Sequence, residues 1–598
     1  MMKYLSLIIV LIPTLLSGQI QKEVGLPLNV EPKDRISFCL YTVNKQQLKL
    51  TAQFYPIRNF EPFEAILQMD DDGQWIDIDT AEIVYPGYTA HFKVVGWDDS
   101  KTTKYRVAHN ETAFYEGLIQ KNPVEKDEIV VGAFSGNSIY SIHGGDLSRQ
   151  DIVDNMKKIK PDLLFFAGDQ VYDHSEHYWH WLRFGQDFGE IISNTPTVCL
   201  PDDHDVGQAN IWGAGGKKGI NRYGEMGGYY MPLAYIEEVQ RAQSWHLPDA
   251  YDPTPIGDGI SVLYTNLTWG GISFAIIEDR KWKSGPDDVL AGINRDSVDV
   301  SAFDVAGAKL LGERQLKFLE DWTDDWENAE MKAVLSATVF AQTSTRTGKH
   351  DWFINYDFDA NGWPQTGRNK ALEVIRKSYA VMIGGDQHLA TVIQHGIEDW
   401  GDAGYSFATP SIASLWLRWW DPKEDGKNRP KGEPRYIGEF EEGFKNKITM
   451  VAVANPDAEP DQEDPDLVNS RGAGIGVVRF NKSKRTVTFE CWPRKVDITE
   501  ANQFYGWPVT VNQLDNNQVI DGYQLPHLIL DVSDAVVSVY DQSKQLISSL
   551  RIKGNTYQPE VRKKGLYDIS IRKGTYEKTI SQLPAKRSNK KKIKITLR

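Results

Sequence analysis

Cysteine is nearly absent from this chain. Three residues in 598, Cys39, Cys199 and Cys491, stand far apart, so a disulfide framework is not indicated. Cys199, inside an apolar run, reads as buried filler. Positive charge is also in deficit, with 67 Lys and Arg against 82 Asp and Glu and a net charge of −15. That balance excludes the basic footprint of stable, non-specific nucleic-acid binding. It leaves room for an anionic ligand, because bound cations invert the field locally. Long hydrophobic runs are missing too. The one near the start, from Lys3 through an apolar stretch to Leu16 and on to Ser17, Gly18 and Gln19, is short for a membrane span. Its basic start and small-residue end are those of a secretory signal peptide, residues 1–19. No cysteine follows to carry a lipid, so the expected address is the periplasm or the medium.

What is present is enough apolar material for several cores: 41% hydrophobic residues and 18 tryptophans. The length predicts two to four domains, and no further sequence feature points beyond a monomer. Residues 30–122 alternate in the manner of strands, as in Leu48–Phe54 and Tyr88–Val95 around a turn at Asp70–Gly73, which predicts a small β-sandwich of fibronectin type. Asn122–Asp127 reads as a linker. Residues 128–507 change rhythm to strands interleaved with helices, including a predicted helix over 305–326 and another over 368–378. From 525 to 598 the chain is β again. Its basic run, Lys586–Lys594, reads as a solvated tail or strand edge, and the domain as a packing module or sorting tag.

The central region is organised around Pro161–Asp173, PDLLFFAGDQVYD. A short apolar run without helical period, closed by Gly-Asp, is a buried strand ending in a loop. Before it, Ser148–Lys160 carries a capping serine, an early aspartate and late lysines, a helix stopped by Pro161. Carboxyl ends of strands in such repeats are where ligands collect, and Asp169 and Tyr172 stand there. Alone, the stretch would equally suit a capping Asp and a packed Tyr. The pattern recurs, however, at Asp202-Asp203-His204-Asp205 and at Gly385-Asp386-Gln387-His388, and that recurrence points to one shared site. Hard oxygen ligands of this kind suit calcium, iron or manganese. Two cations close together can bind a phosphoryl group and activate hydroxide for in-line attack, with a His as general acid.

These three segments, taken together and in this order, resemble the metallophosphoesterase superfamily, and within it the PhoD-like phosphatases (alkaline phosphatase D). The resemblance spans roughly residues 30–500. It implies an α/β fold: a metallophosphoesterase-type β-sandwich core flanked by helices, with an N-terminal fibronectin-like β-domain and a small C-terminal β-domain. It implies a secreted hydrolase of phosphomonoesters or phosphodiesters working through metal-activated hydroxide. Calcium with iron is the expected metal set, with manganese or zinc as alternatives. By the same resemblance Asp169 bridges the cations, Tyr172 binds ferric iron, Asp203, Asp386 and His388 complete the ligands, and His204 is catalytic. Two departures stand out. PhoD-like enzymes usually place a Cys ligand after the first strand, where this chain reads Phe134-Ser135-Gly136-Asn137; Asn137 or Ser135 would then donate oxygen. The strand around Lys332–Thr338 also lacks a His found in many superfamily members.

Other residues have two readings each. Arg280 would neutralise a phosphate oxygen or make a structural ion pair. His174, His177 and His180 have the spacing of one helix face, which zinc can use, although exposed loop histidines fit as well. Asn210, Trp212, Gly213, Gly215 and Gly216 are expected in a substrate-facing loop. Trp416, Trp419 and Trp420, with Tyr178, Trp179 and Trp181, would flank a sugar or lipid head group, with core packing the favoured reading. A function from another class also stands: a secreted glycan- or surface-binding protein with a degenerate, structural metal site.

Overall fold

The computed structural model describes residues 25–27, 30–140, 147–172, 176–413, 416–457 and 472–597. The proposed signal peptide, 1–19, and His174 lie outside them.

The N-terminal domain holds β1 (Ile36–Asn44), β2 (Gln47–Phe54), β3 (Glu64–Asp71), β4 (Gln74–Val84), β5 (Thr89–Val95), β6 (Thr103–His109) and β7 (Ala113–Ile119). All pair antiparallel, in the order β1-β2-β5-β4-β3-β6-β7. Only the end of β4 reaches β5, at Ile83 opposite Ala90, so the path folds over into two layers and β1 packs on β7.

The central domain is built on two mixed sheets. The first joins β8 (Glu128–Asn137), β9 (Leu163–Phe166) and β10 (Thr197–Cys199) in parallel. The second is centred on β12 (Ile272–Ile276), β13 (Met331–Thr338) and β16 (Val381–Gly385), also parallel, with β11 (Thr265–Trp269) outside β12. Its other half holds β17 (Thr391–His395) and β18 (Tyr405–Ala408). The first sheet is extended by β23 (Gly474–Asn481), β24 (Thr486–Pro493) and β25 (Val509–Asn512), all antiparallel.

Alternation along the strands sets the layers. Ile129, Val131, Ala133, Leu163 and Phe165 share one core with Phe274, Ile276, Leu335 and Ile383 of the second sheet. Their neighbours Val130, Phe134, Leu164 and Phe166 turn to the other side, under α1 (Gln150–Ile159) and α2 (His177–Ile192). Ala275, Val334 and Met382 do the same under α3 (Leu233–Ser244), α4 (Gly312–Asp324) and α5 (Gln365–Arg376). A side-chain period of two buries both faces of each sheet, giving two helix layers outside two sheets. The chain as a whole is mostly β.

One local reading changes. The predicted helix over 305–326 is α4 alone, Gly312–Asp324. Gly307 and Gly312 both take positive φ, 96° and 71°, so the helix cannot extend back through them and starts only at Gly312. The C-terminal basic run contains a strand, Lys592–Ile595, paired in parallel with His527–Leu530. The C-terminal strands share their core with Trp326, Ala329 and Tyr379 of the central domain, and Trp326 Nε1 donates to Ser549 Oγ at 2.9 Å. Cys39, Cys199 and Cys491 are buried free thiols. Among the described residues no helix is long and apolar enough to cross a membrane.

Candidate functional site

Three turns converge where the two sheets meet. β9 runs out through Ala167 and Gly168 into Asp169; β10 is followed by Asp202, Asp203, His204 and Asp205; β16 ends at Asp386 and His388. Asp169, Asp386 and His388 all adopt left-handed backbone, with φ of 58°, 64° and 52°. Each such residue costs about 1–3 kcal/mol, and they gather where surroundings hold them for function.

The turns are held in register by Asp205. Its Oδ2 accepts the backbone N–H of Asp169 at 2.8 Å and of Asp202 at 2.9 Å. Its Oδ1 accepts Val171 N–H at 2.9 Å and Gln243 Nε2 at 2.8 Å. A second clamp, Asp279, takes the N–H groups of Ala337 and Thr338 and the Nδ2 of Asn361.

The result is a buried acidic cluster. Ligand atoms of Asp169, Asp203 and His204 lie within 4.8 Å of one another, and so do those of Asp202, Asp203 and Asp386. Burial, and then the neighbouring carboxylates, raise Asp169, Asp202 and Asp203 well above the ordinary carboxylate range, with Arg280 opposing the rise at Asp202. At Asp386 burial is outweighed by Arg280 and Arg418, and its pKa falls to about 2. Asp169 Oδ1 is buried without a hydrogen-bond partner. Crowded carboxylates with an orphaned oxygen fit a cation.

Tyr172 and both histidines adjoin the cluster. Tyr172 Oη lies 2.7 Å from His388 Nε2, and His388 Nδ1 is 3.2 Å from the carbonyl of Trp416. Burial, with Arg418 nearby, lowers His388 to about 4. His204 stacks on Tyr172, with centroids 4.0 Å apart at 18°. It is only partly buried, whereas Asp169, Asp202, Asp203, Asp386 and His388 are buried.

Two proposed site residues are placed otherwise. Asn137 does not offer its side-chain oxygen to the cluster: Oδ1 accepts Arg149 Nε at 2.9 Å. Ser135 is the better oxygen donor of the pair. Its hydroxyl is buried without a partner and sits where a Cβ on Gly385 would come within 2.6 Å. Arg280 takes the ion-pair alternative. Nε donates to Asp202 at 2.7 Å, Nη1 to Asp359 at 2.7 Å, and Nη2 lies 2.9 Å from Asp386, so the guanidinium is spent on three buried carboxylates.

The glycine loop after Asp205 is anchored through its backbone. Gly213 and Gly215 donate their N–H groups to the carbonyls of Arg280 and Lys281. A Cβ on Gly213 would stand 2.5 Å from Lys281 O. These glycines serve backbone docking. Trp212 is buried and Asn210 exposed. His177 is buried beside Gln243, with Nε2 3.1 Å from its amide, and neither it nor His180 joins a three-ligand cluster among the described residues. Trp181, Trp419 and Trp420 are packed inside, while Trp416 is 41% exposed.

Asp202, Asp359, Asp357 and Arg418 escaped the sequence reading as site residues. Arg418 pairs with Asp357, and its charge acts on Asp386 and His388. Asp202 had a signal, as the first acid of the DDHD run; the other three had none.

Acidic turns from two sheets close on one buried cluster whose ligand atoms could hold a cation. Comparison with known proteins shows what the chain is similar to. A sequence model of the PhoD-like phosphatases matches residues 179–433. The solved structure of PhoD superposes with a TM-score of 0.53, covering 82% of this chain and 92% of that one at 14% identity. The two share a fold. A β-glycosidase structure from Bacteroides vulgatus reaches a TM-score of only 0.15 at 10% identity, over 91% of this chain and 78% of that one. No curated protein matches the sequence.

Proposed function

We propose that the protein is a metal-dependent phosphoesterase. The match to PhoD-like phosphatases supports a phosphoric ester hydrolase, and the acidic cluster supports a cation within it. The observation that carries the reading is the buried, partnerless Oδ1 of Asp169 inside that cluster.

On this reading Asp169, Asp203, Asp386 and His388, with Tyr172, hold the metal, and Ser135 takes the place proposed for Asn137. Calcium with iron is the set we favour: carboxylates suit the first and a phenolate the second. Bound there, the cations supply positive charge for the phosphoryl oxygens and acidify a water. The chain's own work is different. Asp205 and Asp279 keep the turns in register, so the ligands need not reorganise during the reaction. Arg280 balances three carboxylates. His204, partly open to solvent beside Tyr172, gives the leaving oxygen its proton. The cleaved bond is between phosphorus and the ester oxygen, and water supplies the new P–O bond. We read the protein as an exported monomer.

The test is hydrolysis of bis-p-nitrophenyl phosphate beside p-nitrophenyl phosphate, with calcium and iron supplied, in the wild type, Asp169→Ala and His204→Ala. Loss of about 10²-fold or more in each variant is expected. The ratio of the two rates decides between diesterase and monoesterase. Folded, cation-loaded wild type without activity above the variants would sink the reading and leave a structural cation site.

A further inference from the structure

Beside the cluster lies a small sheet of β14 (Arg346–Thr347), β15 (Lys349–Phe353) and β20 (Arg418–Trp419), with β14 in the middle. It reaches the acidic centre twice: Arg418 bears on Asp386 and His388, and the carbonyl of Trp416 lies 3.2 Å from His388 Nδ1. Two large aromatics are exposed here, Trp352 of β15 at 50% and Trp416, two residues before β20, at 41%.

These indoles meet over a glycine. Gly348 donates its N–H to the carbonyl of Leu417 at 2.8 Å, which sets it across from Leu417, the residue after Trp416. A Cβ built on Gly348 would lie 3.2 Å from Trp352 Cε3 and 3.2 Å from Trp416 Cζ2. Its φ of +67° suits no ordinary side chain. The glycine thus lets two half-exposed indoles close over one backbone point, one residue's reach from His388.

We infer that Trp352 and Trp416 form a stacking shelf for a flat ring, a nucleobase or the face of a sugar, carried on the alcohol portion of the phosphoester. This rests on the phosphoesterase reading for its substrate, and on the indole geometry for the shelf.

The experiment uses two diesters sharing one leaving group, thymidine 5′-p-nitrophenyl phosphate and methyl p-nitrophenyl phosphate. In Trp352→Ala the kcat/KM ratio of the first to the second should fall roughly tenfold, the scale of one lost stacking contact. Trp416→Ala should do the same, and Trp416→Phe should restore most of it. An unchanged ratio in both alanine variants overturns the shelf. Quenching of tryptophan fluorescence by thymidine 5′-phosphate, glucose 6-phosphate and inorganic phosphate tests it without catalysis. Quenching by thymidine 5′-phosphate alone identifies a base, and by glucose 6-phosphate a sugar. Quenching by neither, or quenching that persists in both alanine variants, overturns the proposal even if the wild type hydrolyses both diesters. Ring-dependent quenching in a protein that hydrolyses nothing would keep the shelf and discard the enzyme.

Discussion

The carboxylate of Asp205 holds the backbone of Asp169: Oδ2 accepts its N–H at 2.8 Å while also accepting that of Asp202 at 2.9 Å. One side chain therefore fixes the spacing of two acid-bearing turns. Asp205→Asn would set an amide donor against backbone donors. Cation affinity should fall about 10- to 100-fold, as for other residues that orient ligands, while the protein still folds. Equilibrium dialysis against calcium and manganese measures this, and an unchanged affinity would show that the turns need no such tie.

Arg280 is bound to Asp202, Asp359 and Asp386. Arg280→Met leaves three buried carboxylates without their shared partner, at a cost of about 3–5 kcal/mol. The thermal midpoint should drop by several degrees and recover in part when divalent cations are added. Equal stability with and without cation would break the link between this arginine and the metal cluster.

The N-terminal domain is locked on by shape. A Cβ on Gly185 of α2 would fall 1.8 Å from Phe38 Cδ1 of β1. Gly185→Ala should destabilise by about 1–3 kcal/mol through overpacking, and Phe38→Leu in the same chain should relieve part of it. Calorimetry on the four proteins of this double-mutant cycle gives the coupling; simple additivity would place the contact elsewhere.

Acid should loosen the same joint. The His246 ring is buried, burial pushes it down to about 3, and its backbone carbonyl accepts Thr42 Oγ1 of β1. In the unfolded chain a histidine titrates near 6.5. Between those values the unfolded chain binds a proton that the folded one refuses, so stability falls as pH drops below about 6.5. At roughly 1.4 kcal/mol per unit, the loss from this ring approaches about 3 kcal/mol near pH 4. Thermal midpoints between pH 7 and 4 should show a shallower acid slope in His246→Gln. An identical slope would assign acid lability to other groups.

Much of the site could be read in advance because its acids end strands. A short apolar run closed by Gly168-Asp169 or Gly385-Asp386 carries its own boundary. What escaped was tertiary. Arg280 meets partners 78 and 79 positions away, and Arg418 meets Asp357 from a separate strand; no spacing rule links them. The hydrogen bond that Asn137 Oδ1 accepts from Arg149, on the approach to α1, was likewise invisible in the spacing. The overlong helix at 305–326 followed an apolar period that Gly307 and Gly312 interrupt through φ alone.

Tyr379 lies in the core of the C-terminal domain, and two residues later β16 begins, running Val381–Gly385 straight to Asp386. One short strand thus connects a remote hydrophobic anchor to an acid of the central cluster. The C-terminal domain therefore packs on the foot of the very strand whose far end delivers Asp386.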